Sequence, residues 1–303
     1  MITRRTFFRG LGALVGCGVG LAGYAFGLEP HYRLSVTRYV ITPPGWPPGF
    51  TLKLALIADL HACQPSMSPA RIEEIVEATN ALGADAILLL GDYEIAEGRF
   101  RQALPPQVWA TILGQLKAPH GVHAILGNHD YWDDPDAQAT RRRPVRSRVA
   151  LEAAGVPVYE NDVVRLEKKG QAFWLAGLAD QIAYVTGTVN GRMRFEGLDD
   201  LDGTLAKVTD DAPVILMAHE PDIFPSVPGR VALTVSGHTH GGQVRLLGWS
   251  PIVPSAYGNR YAYGHVVEDG RSLLVSGGLG CSILPVRFGV PPEIVLVELG
   301  TSA

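Results

Sequence analysis

Five apolar runs in this chain stop in the same kind of residue. "ALIAD" reaches Asp59 with His61 two places on, and "AILLLGD" ends on Asp92. "AILGNHD" closes with Asn128, His129 and Asp130, "VILMAHE" brings His219, and "LTVSGHTH" brings His238 and His240. Carboxylate, carboxamide and imidazole are donors for divalent cations of intermediate softness. Together Asp59, His61, Asp92, Asn128, His219, His238 and His240 offer two carboxylates, one amide oxygen and four imidazoles, more than a single ion can use. Two ions sharing a carboxylate would use them, and a pair about 3.5 to 4 Å apart is what in-line phosphoryl displacement employs. The mixed nitrogen and oxygen set, with no thiolate, points to manganese, iron or zinc rather than calcium.

Taken singly, the fragments are ordinary. Asp-Leu-His is a common turn, Gly-Asp carries nothing, and one histidine such as His219 is usually structural. His238-Thr239-His240 says more, since alternate residues of an extended segment share a face. What singles out the set is shared placement just past the end of a buried run. In a parallel sheet the C-terminal strand ends lie along one edge, so residues far apart in sequence can meet in one crevice.

The elements needed for this can be read from the pattern. "RLSVTRYVI" and "FTLKLALIAD" are strands separated by the turn-rich "TPPGWPPG". Ser68 as N-cap and Pro69 at the first helical position open a helix carrying Ile72, Ile75, Val76 and Leu82 at helical spacing. "DAILLLGD" is a buried strand, Pro105 to Lys117 a second helix and "VHAILGNHD" a further strand, which implies a parallel sheet with right-handed crossovers. "VILMAHE" and "VALTVSGHTH" repeat the theme, while "QVRLL", "RSLLVSGG" and "EIVLVEL" read as antiparallel. The expected fold is α/β: a two-sheet β-sandwich flanked by helices, four layers deep, with its folded body over about residues 32 to 300.

The 303 residues, 47% of them hydrophobic, suffice for a sizeable core and exclude a disordered chain. A formal charge of -4 gives no general attraction to nucleic acid, and no protein partner is expected. Three cysteines, Cys17, Cys63 and Cys281, are too few for a disulfide scaffold. The N-terminus is more telling. "TRRTFFRG" sets Arg4 and Arg5 ahead of two phenylalanines, and Gly10 to Leu28 run without a charge, which is similar to a twin-arginine export signal. At about 1.5 Å per residue this run reaches roughly 28 Å, near the hydrocarbon thickness, so a retained anchor and a cleaved signal are both compatible with it. "LVGC" also offers Cys17 as an acylation site, although the chain stays apolar beyond it. Residues 1–28 are therefore read as signal or anchor, a Glu29-Pro30 linker follows, and residues 29–303 form the domain. The expected location is periplasmic or the outer face of the cytoplasmic membrane.

The order Asp-x-His, Gly-Asp, Gly-Asn-His-Asp, His, Gly-His-x-His resembles the calcineurin-like metallophosphoesterases over about residues 33 to 299. The resemblance implies that Asp59, His61 and His240 hold one metal, that Asn128, His219 and His238 hold the other, and that Asp92 bridges them. It further implies that His129 stands near the leaving group and that a water or hydroxide held between the cations attacks phosphorus in line. "GNHDYW", "SGHTHGGQ" and "GLGCSILPVRFGVPPEIVLVEL" look like the bacterial, twin-arginine-exported phosphodiesterase branch, which includes relatives acting on UDP-2,3-diacylglucosamine. Cys281 stands where that branch usually has a small hydroxyl residue. "GDYEIAEG" lacks the Asp and Arg that the superfamily's protein phosphatases carry, which argues against protein phosphatase activity and removes an aspartate partner for His129 from this loop.

The expected activity is hydrolysis of a phosphodiester in a small molecule or lipid. A UDP-2,3-diacylglucosamine pyrophosphatase is the alternative, set back by a location on the wrong side of the membrane. A non-catalytic scaffold is a further one, set back by the complete ligand set. Among weaker signals, Gln243 and Arg287 could contact phosphate, Asp130 could orient a neighbour or cap a turn, and Cys63 could approach the metals or pair with Cys281. "RRRPVRSR" (Arg141, Arg142, Arg143, Arg146, Arg148) could hold an anionic tail or form a solvated loop, and His120, His123 and His265 match no ligand position.

Overall fold

The computed structural model describes residues 3–99 and 101–300. The N-terminal run forms one helical rod: α1 (Arg4–Gly23), a π-helical turn (Tyr24–Leu28) and α2 (Glu29–Tyr32). Most of the rod is exposed, with Leu14 at 72% and Val19 at 68%, so it is no core helix of the domain. Its lower end is docked on the body. The Arg287 amide donates to the Ala25 carbonyl at 2.9 Å, and the Tyr24 ring meets Phe288 edge-on at 6.0 Å. Glu29 and Pro30 correct the expected linker: both continue the helix and are buried.

The first half of the body runs β1 (Ser35–Ile41), β2 (Leu52–Ile57), β3 (Cys63–Gln64), α3 (Pro69–Ala81), β4 (Ala86–Leu90), β5 (Gln102–Ala103), α4 (Pro106–Leu113) and β6 (Val122–Ile125). Ser68 caps α3, its hydroxyl accepting from the Arg71 amide, with Pro69 following as the spacing predicts. Three short helices come next, α5 (Asn128–Trp132), α6 (Pro135–Thr140) and α7 (Arg146–Ala153). The second half holds β7 (Asp162–Lys168), β8 (Gln171–Gly177), the hairpin β9 (Tyr184–Val189) and β10 (Arg192–Glu196), α8 (Leu201–Leu205), β11 (Val214–Met217) and β12 (Val231–Ser236). It closes with β13 (Gly264–Glu268), β14 (Arg271–Val275) and β15 (Glu293–Leu299).

One sheet has the order β1-β15-β2-β4-β6 and the other β13-β14-β12-β11-β8-β7. Strands β2, β4 and β6 are mutually parallel, as are β8, β11, β12 and β14. Both faces of the central strands are apolar, as a doubly covered sheet requires. Leu54, Leu56, Leu88 and Ile125 meet Phe173, Leu175, Ile215 and Leu233 between the sheets, whereas Ile57, Ile87 and Leu89 pack outward on Ile72, Ile75, Trp109 and Leu113 of the helices. The layered sandwich is thus present, with a lighter outer cover on the second sheet, where Trp174, Leu216 and Leu273 meet Phe224 and Tyr261.

Three of the tail readings need revision. β14 is antiparallel to β13 but parallel to β12, and β15 is antiparallel to β2 but parallel to β1. "QVRLL" is no strand, because Gly241, Gly242 and Gln243 all have positive φ and turn the chain before it can pair beyond a single bridge from Val244 to Phe288.

Candidate metal centre

The polar residues gather from both sheets. Asp59, Asp92 and Asn128 follow β2, β4 and β6 of one, while His219 and His238 follow β11 and β12 of the other. At each strand end the backbone turns abruptly. Asp59 (φ 53°), His61 (46°), Asp92 (57°), His238 (69°) and His240 (51°) all lie in the left-handed region. Non-glycine residues there cost about 1 to 3 kcal/mol each, a strain that persists only where surrounding bonds enforce it. Those bonds are present: Asp59 N donates to Gly91 O at 3.0 Å, His61 N to Asp92 O at 3.0 Å and Ala62 N to Tyr93 O at 2.9 Å. His238 N donates to Asp59 Oδ1 and His129 N to Asp92 Oδ1, each at 2.8 Å.

The donor atoms of Asp59, His61, Asp92 and His240 lie within 4.8 Å of one another, as do those of Asp92, His219 and His238. Asp92 belongs to both groups. Asn128 joins the second, its Oδ1 lying 2.8 Å from His238 Nδ1. His238 and His240 therefore serve different groups, which corrects the expectation that they share a face; Thr239 (φ -79°, ψ -19°) and the turn His240–Gly242 are not extended. Space is tight as well. A Cβ on Gly127 would stand 2.4 Å from Asp92 Oδ1 and 2.6 Å from His219 Nε2, so the "GN" of the motif needs its glycine.

Hydrogen bonding fixes which nitrogens point inward. His61 Nδ1 faces Glu94 O at 2.9 Å, His219 Nδ1 faces Leu90 O at 2.6 Å, and His240 Nδ1 faces Gly280 O at 3.3 Å. A carbonyl only accepts, so each Nδ1 carries the proton and each Nε2 presents a lone pair. His61 Nε2 and His240 Nε2 then stand 3.1 Å apart, and His219 Nε2 stands 3.2 Å from Asp92 Oδ2. His219 Nε2 and Asp59 Oδ2 are buried with no hydrogen-bond partner among the described residues. Lone pairs aimed at one another in a dry site repel unless a cation lies between them, and this donor set fits divalent ions.

The electrostatics agree. Burial pushes the His61 imidazole down to about 3, and burial, with His61 and Arg287 adding to it, holds His240 well below the ordinary range; both stay neutral, the form that binds metal. Burial raises Asp59 to about 7. Burial also opposes ionisation of Asp92, yet His219 and His129 outweigh it and hold that carboxyl well below its usual value. Negative charge at the centre of the site draws positive charge from every side.

His129 is a different kind of residue. It is 21% exposed where the ligands are buried, and its Nδ1 lies 2.7 Å from Asp133 Oδ2. Burial lowers its proton affinity, but Asp92 and Asp133 together raise it above the ordinary imidazole value. Asp133 was not singled out in the sequence; the signal was its place four residues after His129, one turn along a helix. Asp130 is fully buried and ties two ligand loops together. Its Oδ2 accepts from Asp92 N and Gly127 N at 2.9 Å, and its Oδ1 from Tyr93 N, Glu94 N and the Ser147 hydroxyl.

The weaker candidates fall outside phosphate contact. Arg287 has no exposure, and its guanidinium donates to the carbonyls of Gly277, Gly280 and Val290 behind His240, so it is corrected from substrate contact to support of a ligand. Gln243 is corrected too: its amide donates to Leu284 O and Val286 O and accepts from Ser282 N. Four of the five arginines of "RRRPVRSR" face carboxylates: Arg141 with Glu196, Arg143 and Arg148 with Glu160, and Arg146 with Glu94. The patch for an anionic tail is thereby largely neutralised. Cys63 and Cys281 are free thiols, and the Cys63 sulfur faces the Ser66 hydroxyl at 3.2 Å. His123 bonds Tyr159 and His120, a structural role.

A family model described as calcineurin-like phosphoesterase matches residues 52–242. The chain is 29% identical over 307 residues to "Uncharacterized metallophosphoesterase YkuE" of Bacillus subtilis, a match covering 98% of each. It is 28% identical over 258 residues to "Transmembrane protein with metallophosphoesterase domain" of Danio rerio, covering 82% of this chain and 53% of that relative. Among solved structures, Haemophilus influenzae NAD nucleotidase aligns with a TM-score of 0.45 at 13% identity, over 76% of this chain and 46% of that one.

Replacing Asp130 by Ala would strand four buried amides at about 1 kcal/mol or more apiece. The Asp130→Ala variant is expected to lose on the order of 3 kcal/mol in urea melts and to bind metal more weakly; an unchanged melt would contradict its role as the tie between the Asp92 and Asn128 loops.

Proposed function

This chain belongs to the calcineurin-like phosphoesterase family and is a metal-dependent phosphoester hydrolase, and on that premise we propose that it is a phosphodiesterase working with two divalent cations. The observation that carries the reading is Asp92, one carboxylate shared by two clusters of inward-facing neutral donors, with a partly exposed, proton-rich His129 beside it. Asp59, His61, Asp92 and His240 would hold one ion and Asp92, Asn128, His219 and His238 the other. When bound, the two ions supply Lewis-acid neutralisation of the phosphoryl oxygens and promote ionisation of an attacking water.

The chain's own residues do the rest. Asp133 accepts the Nδ1 proton of His129 and so fixes the ring with Nε2 toward the site. As water adds to phosphorus and the ester P–O bond breaks, the departing alkoxide takes the proton from His129 Nε2, and the imidazole is reprotonated from solvent through its exposed edge. The His129 amide, donating to Asp92 Oδ1, keeps the shared carboxylate from rotating away. No side chain is used as a nucleophile.

The rod Arg4–Tyr32 supports a membrane-associated enzyme. It is long and apolar enough to cross a bilayer, and only 6% of its most apolar window is buried. A relative bears "Transmembrane protein" in its name. With Arg4 and Arg5 at the start, we read the rod as a twin-arginine signal retained as an anchor, which leaves the domain on the outer face.

Two outcomes test the assignment with an aryl phosphodiester on a manganese-loaded preparation. Asp92→Asn is expected to abolish turnover and lower metal content, whereas His129→Asn keeps both metals and loses about 10²- to 10⁴-fold in rate; full activity in either variant would refute it. The protonated form of His129 is the active one, so the rate falls as pH rises through its raised pKa. Asp133→Asn removes one of the charges that raise it and should move this alkaline limb to lower pH, while an unmoved limb would exclude His129 as the acid.

A further inference from the structure

The catalytic domain carries a second apolar surface beside the rod. At residues 246–249 the chain makes a tight hairpin, Leu246 and Trp249 exchanging both backbone hydrogen bonds at 2.8 and 3.0 Å. Its two central residues, Leu247 and Gly248, both have positive φ, 50° and 83°. That pattern favours Asn-Gly, and a leucine in it is strained. The strained leucine covers nothing in the domain: Leu247 is fully exposed, and Leu246, Trp249 and Ile252 around it are 54%, 58% and 78% exposed. Ile283 (85%) and Leu284 (52%) lie on the next loop. No Asp or Glu occurs from Gly241 to Val267 or from Ser276 to Pro292, although the chain as a whole is acidic.

These loops are wired to the base of the rod. Arg245 N donates to Phe288 O and Phe288 N to Gln243 O; the Phe288 ring packs on Tyr24, and the Arg287 amide holds the Ala25 carbonyl. Gln243 Nε2 reaches Leu284 O and so ties in the second loop. Three residues separate Val244 from the tip at Leu247, about 10 Å of extended chain. The tip is thus held close to the point where the apolar rod meets the domain.

We propose that hairpin 246–249, with Ile252 and the loop at 283–284, seats in the interface of the bilayer that holds the rod. Leu247 enters the acyl boundary and Trp249 lies at headgroup level, as interfacial aromatic rings do. Two contacts, rod and hairpin, fix the orientation of the domain, where the rod alone would let it swing. Residue 281 of the same tail follows Gly280, whose carbonyl faces His240, so seating would bring the metal centre close to headgroup phosphoesters. This inference rests on the reading of the rod as a retained anchor.

Spin labels on full-length protein in phosphatidylcholine and phosphatidylglycerol nanodiscs test it, with Cys17 replaced by Ser. Labels at Leu247→Cys, at Val15→Cys on the rod and at Lys169→Cys, on the β7–β8 turn, are compared for collision with oxygen and with a water-soluble nickel chelate. A several-fold higher ratio of oxygen to nickel accessibility at 247 than at 169 is expected. A ratio at 247 equal to that at 169, with 15 in lipid, overturns the seating and leaves the anchor standing. Aqueous readings at both 15 and 247 overturn the anchor and the seating together. Spin–spin broadening between labels at 247 would show a second copy as the occupant and also overturn it. As a second variant, Leu247→Asn with Trp249→Ser should make a label at 283 aqueous while the melt and aryl ester turnover stay unchanged; a label at 283 that stays in lipid would contradict the proposal.

Discussion

The structure turns on one carboxylate. Asp92 sits at the end of β4 with its Oδ1 held by the His129 amide, so that Oδ2 is left to face His61 Nε2 at 3.6 Å and His219 Nε2 at 3.2 Å. Placing it there requires a left-handed turn at Asp92, a glycine at 127 to make room, and Asp130 to gather the amides of both loops. None of these features would repay its strain or burial in an ordinary core. They become coherent when two cations are part of the folded state, since binding energy that is lost on unfolding stabilises the strained conformation.

Much of this was legible before any coordinates. The switch from apolar run to Asp, Asn or His marks the strand ends β2, β4, β6, β11 and β12, and the Ser68-Pro69 pair marks the start of α3. These are local signals, set by period and by capping chemistry. What could not be read were choices made by tertiary packing. The strands divide between two sheets, so the site lies across a sandwich edge rather than along one sheet. His238 and His240 part company at a pair of left-handed residues, a conformation that "GHTH" gives no reason to expect of histidine.

Charged residues were the least legible of all. Arg287 looks like a phosphate ligand in sequence, and only its complete burial behind His240 shows that carbonyls take up its donors. The run Arg141 to Arg148 looks like an anion site until Glu94, Glu160 and Glu196 arrive from distant segments. Asp133, by contrast, could have been found from its spacing to His129. The rod was recognised by composition, but its continuation through Glu29 and Pro30 and its clasp on Phe288 come from packing that composition does not encode.

The clearest test of the central claim is anomalous diffraction from a crystal of the protein loaded with manganese. Two peaks are predicted, one on either side of the Asp92 carboxylate, the first touched by Asp59, His61 and His240 and the second by Asn128, His219 and His238. A single peak, or none within reach of Asp92, would contradict the account.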